Sequence, residues 1–316
     1  MPTRDRRGFA LIAAIWLMVT LSAVGLEVAL LARTRRLSAA NAAEGARARA
    51  AAEAGLEHAR ARLTRRLAGA PEASAPAIGA RDPWRTLGGV LSDTVALDDE
   101  RYVVQLRDAS ARVNLNVASE AQLRRLFAAL RIDAGTADQL AQVIADWRDT
   151  DDLVRSRGAE RDAYLRAALP TLPRNAPLVS VEELRDLYGM TPAIFSAVSP
   201  HVTVRGSGQV NLNTADRAVM LSLPGVGEET AAAALRLRAA GVAISSLEQL
   251  ATALPPGARN QLLDATAELL PLLTFETREV EVTSEGWVAR SPVRSRASGL
   301  FVRGGGAIFF LGKRTE

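Results

Sequence analysis

An uninterrupted apolar run opens the chain. From Phe9 to Leu26 no residue carries a charge, and after Glu27 the run resumes to Ala32. At ~1.5 Å rise per residue a helix over 9–32 reaches roughly 36 Å, enough for the ~30 Å hydrocarbon core of a bilayer. Residues 33–69 continue in helix formers with no proline before Pro71, and Ala52, Leu56, Ala59 and Leu63 recur on one face. This pattern predicts one helix that spans a membrane and runs on as an amphipathic stalk. Pro71, Pro76, Gly79 and Pro83 then mark a linker. Strand alternation appears at Thr94–Leu97 and Arg101–Arg107, and returns at Phe275–Thr283, Gly299–Arg303 and Ala307–Leu311. Between them, residues 119–270 read as helical. The expected fold class is α+β: a long N-terminal transmembrane and stalk helix packed on a small antiparallel sheet. The sheet comes from residues 70–118 and 271–316, and a large all-α domain is inserted between its halves.

The insert contains an echo. Val113-Asn-Leu-Asn-Val-Ala-Ser and Val210-Asn-Leu-Asn-Thr-Ala-Asp are nearly the same, each leading into a helix. The asparagines are suited to satisfy backbone groups where extended chain turns into helix. Ser119 with Gln122, Ser180 with Glu183 and Ser245 with Glu248 have capping-box spacing. The second copy runs into Leu221-Ser-Leu-Pro224-Gly225-Val-Gly227, which resembles a helix-hairpin-helix (SAM-like) element. In nucleic-acid-binding examples, amides at the second helix's N-terminus approach a phosphate. Here Glu228 and Glu229 fill that first turn, where they complement the helix dipole but repel phosphate. Arg236 and Arg238 follow one to two turns later and keep a DNA-binding reading open.

Charge adds little to that reading. Thirty-nine cationic residues face 35 acidic ones for a net +4, and Lys313 is the only lysine. Arginines are interspersed with acids, as in Glu44…Arg47 and Glu57…Arg60, the mark of a solvated mixed-sign surface. The absence of cysteine excludes disulfides and thiol chemistry. The two histidines, His58 and His201, have no serine and carboxylate arranged with them in any motif, so no hydrolase is indicated.

Asp146-Trp-Arg-Asp149-Thr-Asp151-Asp152-Leu-Val-Arg-Ser-Arg-Gly158-Ala-Glu160-Arg-Asp162 is the densest chemical constellation. Hard cations such as Ca²⁺ take six to eight oxygens, which a flexible acidic loop can converge. Asp149, Asp151 and Glu160 match the first, third and last positions of an EF-hand loop. Leu153 and Val154 stand where a ligand and glycine belong, so this is no EF-hand. A solvated acidic turn, salt-bridged to Arg155 and Arg157, is the competing reading.

The N-terminus has three readings: a signal peptide cut near Ala39-Ala40, a plain signal anchor, or a more specific one. Arg7-Gly8-Phe9 opening an apolar helix resembles the type IV prepilin class, including type II secretion pseudopilins. The resemblance implies cleavage by prepilin peptidase between Gly8 and Phe9, removal of a leader over 1–8, and methylation of Phe9. Most members carry Glu at the fifth mature position; this chain has Ala13. That departure, the α-insert, the Asp-Trp and Asp-cluster pattern, and Ser180-Val-Glu-Glu-Leu with Gly189-Met-Thr-Pro resemble the K minor pseudopilins (general secretion pathway protein K, GspK family). The resemblance implies a non-enzymatic tip subunit, anchored in the bacterial inner membrane with its bulk in the periplasm. Its partners would be the I, J and H type minor pseudopilins, the major pseudopilin and the prepilin peptidase. Secreted substrate and the outer-membrane secretin are further expected contacts. Calcium is implied at Asp149, Asp151, Asp152, Glu160 and Asp162, and Pro224, Gly225 and Gly227 would form the hairpin. The alternative is a membrane-anchored helix-hairpin-helix DNA receptor for uptake.

Overall fold

The computed structural model of the chain describes residues 5–67 and 94–315. The linker signals at Pro71, Pro76, Gly79 and Pro83, and the first four residues of the expected leader, lie outside them. Helix α1 (Asp5–Leu67) is a single 63-residue element, roughly 95 Å long at ~1.5 Å per residue. Along Leu11–Ala43 every residue is exposed, and Leu11, Ile12, Ile15, Trp16, Leu17 and Met18 are each more than half exposed. A helix apolar all round and left exposed by the described residues is what a bilayer accommodates.

The second half of α1 is packed. Ala48, Ala52, Leu56, Ala59 and Leu63 are buried at helical spacing, as the sequence pattern required. They rest on a five-stranded antiparallel sheet. Its strands, in spatial order, are β1 (Val95–Leu97), β2 (Glu100–Asp108), β7 (Glu279–Val288), β8 (Arg294–Gly304) and β9 (Ala307–Thr315). The face under α1 is built by alternation: Tyr102, Val104 and Leu106 from β2, Val280 and Val282 from β7, Ala297 and Phe301 from β8. Burying Leu56 and Leu63 contributes ~1.5–3 kcal/mol each. Small residues let helix and sheet close up: a Cβ on Gly286 would collide with the backbone of Ala48 and Ala52, and one on Gly55 with Ser284.

The helical block interrupts the sheet between β2 and β7, as expected, and divides into two units. The first opens at β3 (Val113–Asn114), continues through α2 (Glu120–Ala129), α3 (Ala134–Arg148), α4 (Arg161–Arg166) and α5 (Pro192–Val198), and ends at β4 (Val202–Thr203). The second opens at β5 (Val210–Asn211), passes α6 (Arg217–Leu221), α7 (Glu228–Ala239), α8 (Leu247–Thr252), α9 (Pro256–Asp264) and α10 (Thr266–Leu269), and ends at β6 (Leu273–Thr274). Each unit is tied at its base by a two-residue parallel bridge, β3 to β4 and β5 to β6. One continuous apolar core, including Phe127, Trp147, Tyr164, Leu212 and Met220, runs through both.

The repeated Val-Asn-Leu-Asn segments open these units and do equivalent work. Asn114 Oδ1 accepts from the Asn116 amide, and Asn211 Oδ1 from the Asn213 amide. Asn116 donates to the carbonyls of Leu178 and Val204 and accepts from the Leu178 amide. Asn213 does the same with Ile244 and Phe275. A guanidinium then closes each turn: Arg148 donates to the carbonyls of Leu115 and Ala118, and Arg238 to that of Ala215.

Candidate functional site

Two places concentrate polar chemistry: the acidic loop after α3, and the seam joining the helical units to the sheet. The loop is anchored by Asp146, which lies on the inward face of α3 beside Val143 and Trp147 and is fully buried. Asp149 caps the end of the same helix through its backbone. The chain then folds back so that Arg155 enters the pocket between them. Its Nη1 donates to Asp146 Oδ1 and to Asp149 Oδ2 at 2.5 Å each, and its Nε donates to Glu120 Oε1 at 3.1 Å. The Arg155 amide also donates to Asp146 Oδ2 at 3.3 Å. Gly158 crosses so close to Asp146 that a Cβ there would collide with its carboxylate.

The five carboxylates expected to hold calcium are not gathered into one set. Asp151 accepts from the Leu153 amide in a local turn, and Asp152 accepts from Asn175 at 2.8 Å. Asp162 stands exposed in the first turn of α4. Among the described residues no group of three or more Asp, Glu, His or Cys is placed to hold a metal ion. Glu160 and Asp149 are the exceptions in one respect. Both oxygens of Glu160, which is 7% exposed, and Oδ1 of Asp149 are buried without a hydrogen-bond partner among the described residues. Burial, with Asp146 and Asp149 nearby, pushes the Glu160 carboxyl up to about 7. The expected ligand set therefore does not fit the arrangement, because Arg155 already engages the convergent oxygens.

The seam was not read from the sequence. Asp108, at the end of β2, is fully buried and receives four hydrogen bonds: from the Ser110 amide, Asn211 Nδ2, Thr214 Oγ1 and Thr277 Oγ1, at 2.7–2.9 Å. Its parity with Tyr102, Val104 and Leu106 was the available signal, since period-2 alternation puts it on the inward face. Beside it, Arg112 pairs with Glu281 of β7, and Glu281 accepts from Thr203 at 2.7 Å. A polar cleft of about 620 Å³, lined by Arg107, Arg112, Glu281, Thr283 and Arg296 among others, runs along this seam.

At the turn between α6 and α7, Pro224, Gly225 and Gly227 lie together, with Gly225 at φ 71° and Gly227 as the N-cap of α7. Of Arg236 and Arg238, which kept a DNA-binding reading open, Arg236 is exposed and Arg238 is engaged within the fold. Arg238 is bonded to the Ala215 carbonyl, and Arg217 pairs with Glu228. Gly8 and Phe9 fall in the first two turns of α1. His58 bonds the Tyr102 hydroxyl at 2.9 Å and His201 pairs with Asp216 at 2.7 Å. The predicted Ser245–Glu248 box is displaced by one residue: Ser246 accepts from the Gln249 amide, while Gln249 accepts from the Ser245 amide.

The comparisons agree with this architecture. Residues 102–207 match the family model for type II secretion system protein K, first domain. The chain is 32% identical over 143 residues to type II secretion system protein K of Klebsiella pneumoniae, a match covering 40% of this chain and less than half (44%) of that relative. Against type II secretion system protein K of Aeromonas hydrophila it is 27% identical over 237 residues, covering 66% of this chain and 68% of the relative. Its fold matches a chain in the crystal structure of the GspK–GspI–GspJ complex from the enterotoxigenic Escherichia coli Type 2 Secretion System. The TM-score is 0.63 at 20% identity, covering 90% of this chain and 99% of the other. With a long apolar N-terminal helix, an interrupted sheet and a matched segment over residues 102–207, the chain is similar to type II secretion system protein K in sequence and to GspK of the solved complex in fold.

Proposed function

We propose that the protein is a minor pseudopilin at the tip of the type II secretion pseudopilus, a structural and assembly component rather than an enzyme. The single observation that carries this reading is the division of α1. Its first half presents apolar side chains left exposed by the described residues, and the same helix then packs on the sheet. Such a helix holds the folded part at a fixed distance from a bilayer and offers its apolar flank to like helices. The chain is inserted in the bacterial inner membrane with its bulk in the periplasm. It assembles with the I, J and H type minor pseudopilins; the solved complex in which GspI and GspJ accompany GspK supports the first two.

The lack of Glu at position 13 fits a tip subunit. An ionised carboxylate in lipid requires a partner, and a subunit without one needs no neighbour stacked above it. The insert between β2 and β7 adds bulk that a repeating filament subunit could not carry. The turn around Pro224, Gly225 and Gly227 is a helix-hairpin-helix used as protein architecture; Glu228 and Glu229 at the following helix start oppose phosphate.

Processing is the direct test. N-terminal sequencing of the membrane-extracted protein is expected to begin at methylated Phe9. Gly8→Ala is expected to leave full-length precursor and block secretion. A mature-length band from Gly8→Ala, or a natural chain beginning at Met1, would overturn the reading.

A further inference from the structure

The acidic loop poses a problem of charge. Asp146, Asp149 and Glu120 come from α3, its C-terminal cap and the start of α2, and all converge on one guanidinium. Glu160 adds a further buried carboxylate with no hydrogen-bond partner among the described residues. Asp146, fully buried, and Glu160, 7% exposed, are held away from water, where a charge is costly unless a cation accompanies it. A divalent ion would supply that charge by collecting oxygens, whereas a guanidinium supplies it through a planar fork of five N–H donors.

We infer that Arg155 is the resident cation of this pocket, so that the loop from Asp149 to Glu160 is held in place without a metal. Removing the guanidinium turns the same pocket into a site for a hard divalent cation. Three observations support this. Arg155 reaches three carboxylates on two segments, the end of α3 and the start of α2, and so ties its own loop to both helices. Its own amide and Gly158 bring the loop backbone against Asp146, so the fold of the loop is built around the guanidinium. Among the described residues, both oxygens of Glu160, with Asp146 and Asp149 nearby, and Oδ1 of Asp149 stay buried without a partner, an acid excess that a single guanidinium does not exhaust. The inference concerns this chain's own residues and stands apart from the assembly role.

The test is thermal unfolding of the full chain in detergent micelles, with EGTA or with millimolar CaCl₂, joined to calcium titration calorimetry. The unaltered protein is expected to unfold within about 1 °C of the same temperature in both buffers and to give no calcium heat. Arg155→Gln is expected to lose several degrees in EGTA and to regain about 4 °C or more once calcium exceeds its dissociation constant 100-fold. Adding Glu160→Gln to that variant is expected to abolish the regain. Stabilisation of the unaltered protein by calcium would overturn the inference, and so would an Arg155→Gln variant that folds but ignores calcium. Should Arg155→Gln fail to fold in EGTA, its recovery in calcium supports the inference; failure in both buffers counts against it. Arg155→Lys, which keeps the charge but not the fork, is expected to remain calcium-insensitive, and a calcium response there would also count against it.

Discussion

Gly286 of β7 lies directly against the backbone of Ala52 in α1, so that helix and sheet meet with no side chain between them. The contact sits where the exposed half of α1 gives way to the packed half, and it sets how closely the stalk rides on the sheet. Gly286→Ala places a methyl group among main-chain atoms of Ala48, Ala51 and Ala52, which cannot rotate away. Overpacking of this kind costs ~1–3 kcal/mol. Denaturant unfolding of the full chain in micelles is expected to show that loss. Gly257→Ala, where a Cβ meets nothing within 4 Å, is expected to leave the midpoint unchanged or slightly raised.

The two asparagine turns are expected to fail separately. Asn116→Ala strands the amide and carbonyl of Leu178 and the carbonyl of Val204, and Asn213→Ala strands those of Ile244 and Phe275. Each unsatisfied buried group costs ~1–3 kcal/mol. Amide hydrogen exchange is the informative readout. Leu178 should lose protection in the first variant and Ile244 in the second. Equal loss at both amides in either variant would mean that the two units open together.

The residues themselves explain why some of this was legible and some was not. The alternation Tyr102, Val104, Leu106 and the helical spacing Ala52, Leu56, Ala59, Leu63 are local patterns, and both emerged as the two faces of one core. The echo at Val113 and Val210 was legible as a capping device because asparagine before a helix has few other uses. Its partners were not legible, since Leu178 and Ile244 lie 62 and 31 positions away from their asparagines. The seam at Asp108 draws on Asn211, Thr214 and Thr277, residues brought together only by the return of the chain to the sheet. In the acidic loop the count of carboxylates was visible, but the aim of Arg155 was not. A side chain that reaches back nine positions to Asp146 leaves no periodic trace.

Two interhelical corners of the insert solve one backbone problem with different residues. Between α6 and α7, Gly225 takes φ 71°, and between α2 and α3, Arg131 takes φ 61°. Gly225→Ala adds backbone strain and brings a methyl group against Ala265 and within 2.9 Å of the Gln261 carbonyl, so a loss of ~1–3 kcal/mol is expected. Arg131→Gly relieves strain at the other corner, offset by the greater freedom glycine has when unfolded, and is expected to change stability by no more than about 1 kcal/mol. Opposite behaviour in thermal unfolding, with Arg131→Gly the more damaging, would show that the Arg131 side chain holds that corner rather than its backbone.

Asp108 makes the joint between sheet and insert sensitive to acid, in the direction opposite to an ordinary salt bridge. Burial pushes its carboxyl above the usual range, against the lowering pull of its four donors. Between its unfolded value, ~3.9, and the raised folded value, the native state binds more proton than the unfolded one. Its contribution to stability therefore rises as pH falls through that window and declines as pH climbs back toward neutrality. Asp108→Asn removes this proton linkage and turns an NH₂ group toward donors, costing ~1–3 kcal/mol at neutral pH. Denaturant unfolding of both proteins at pH 7, 5.5 and 4 should show the gap between them widening toward acid. A gap that narrows instead would mean that the four hydrogen bonds outweigh burial and hold the carboxyl below its ordinary range.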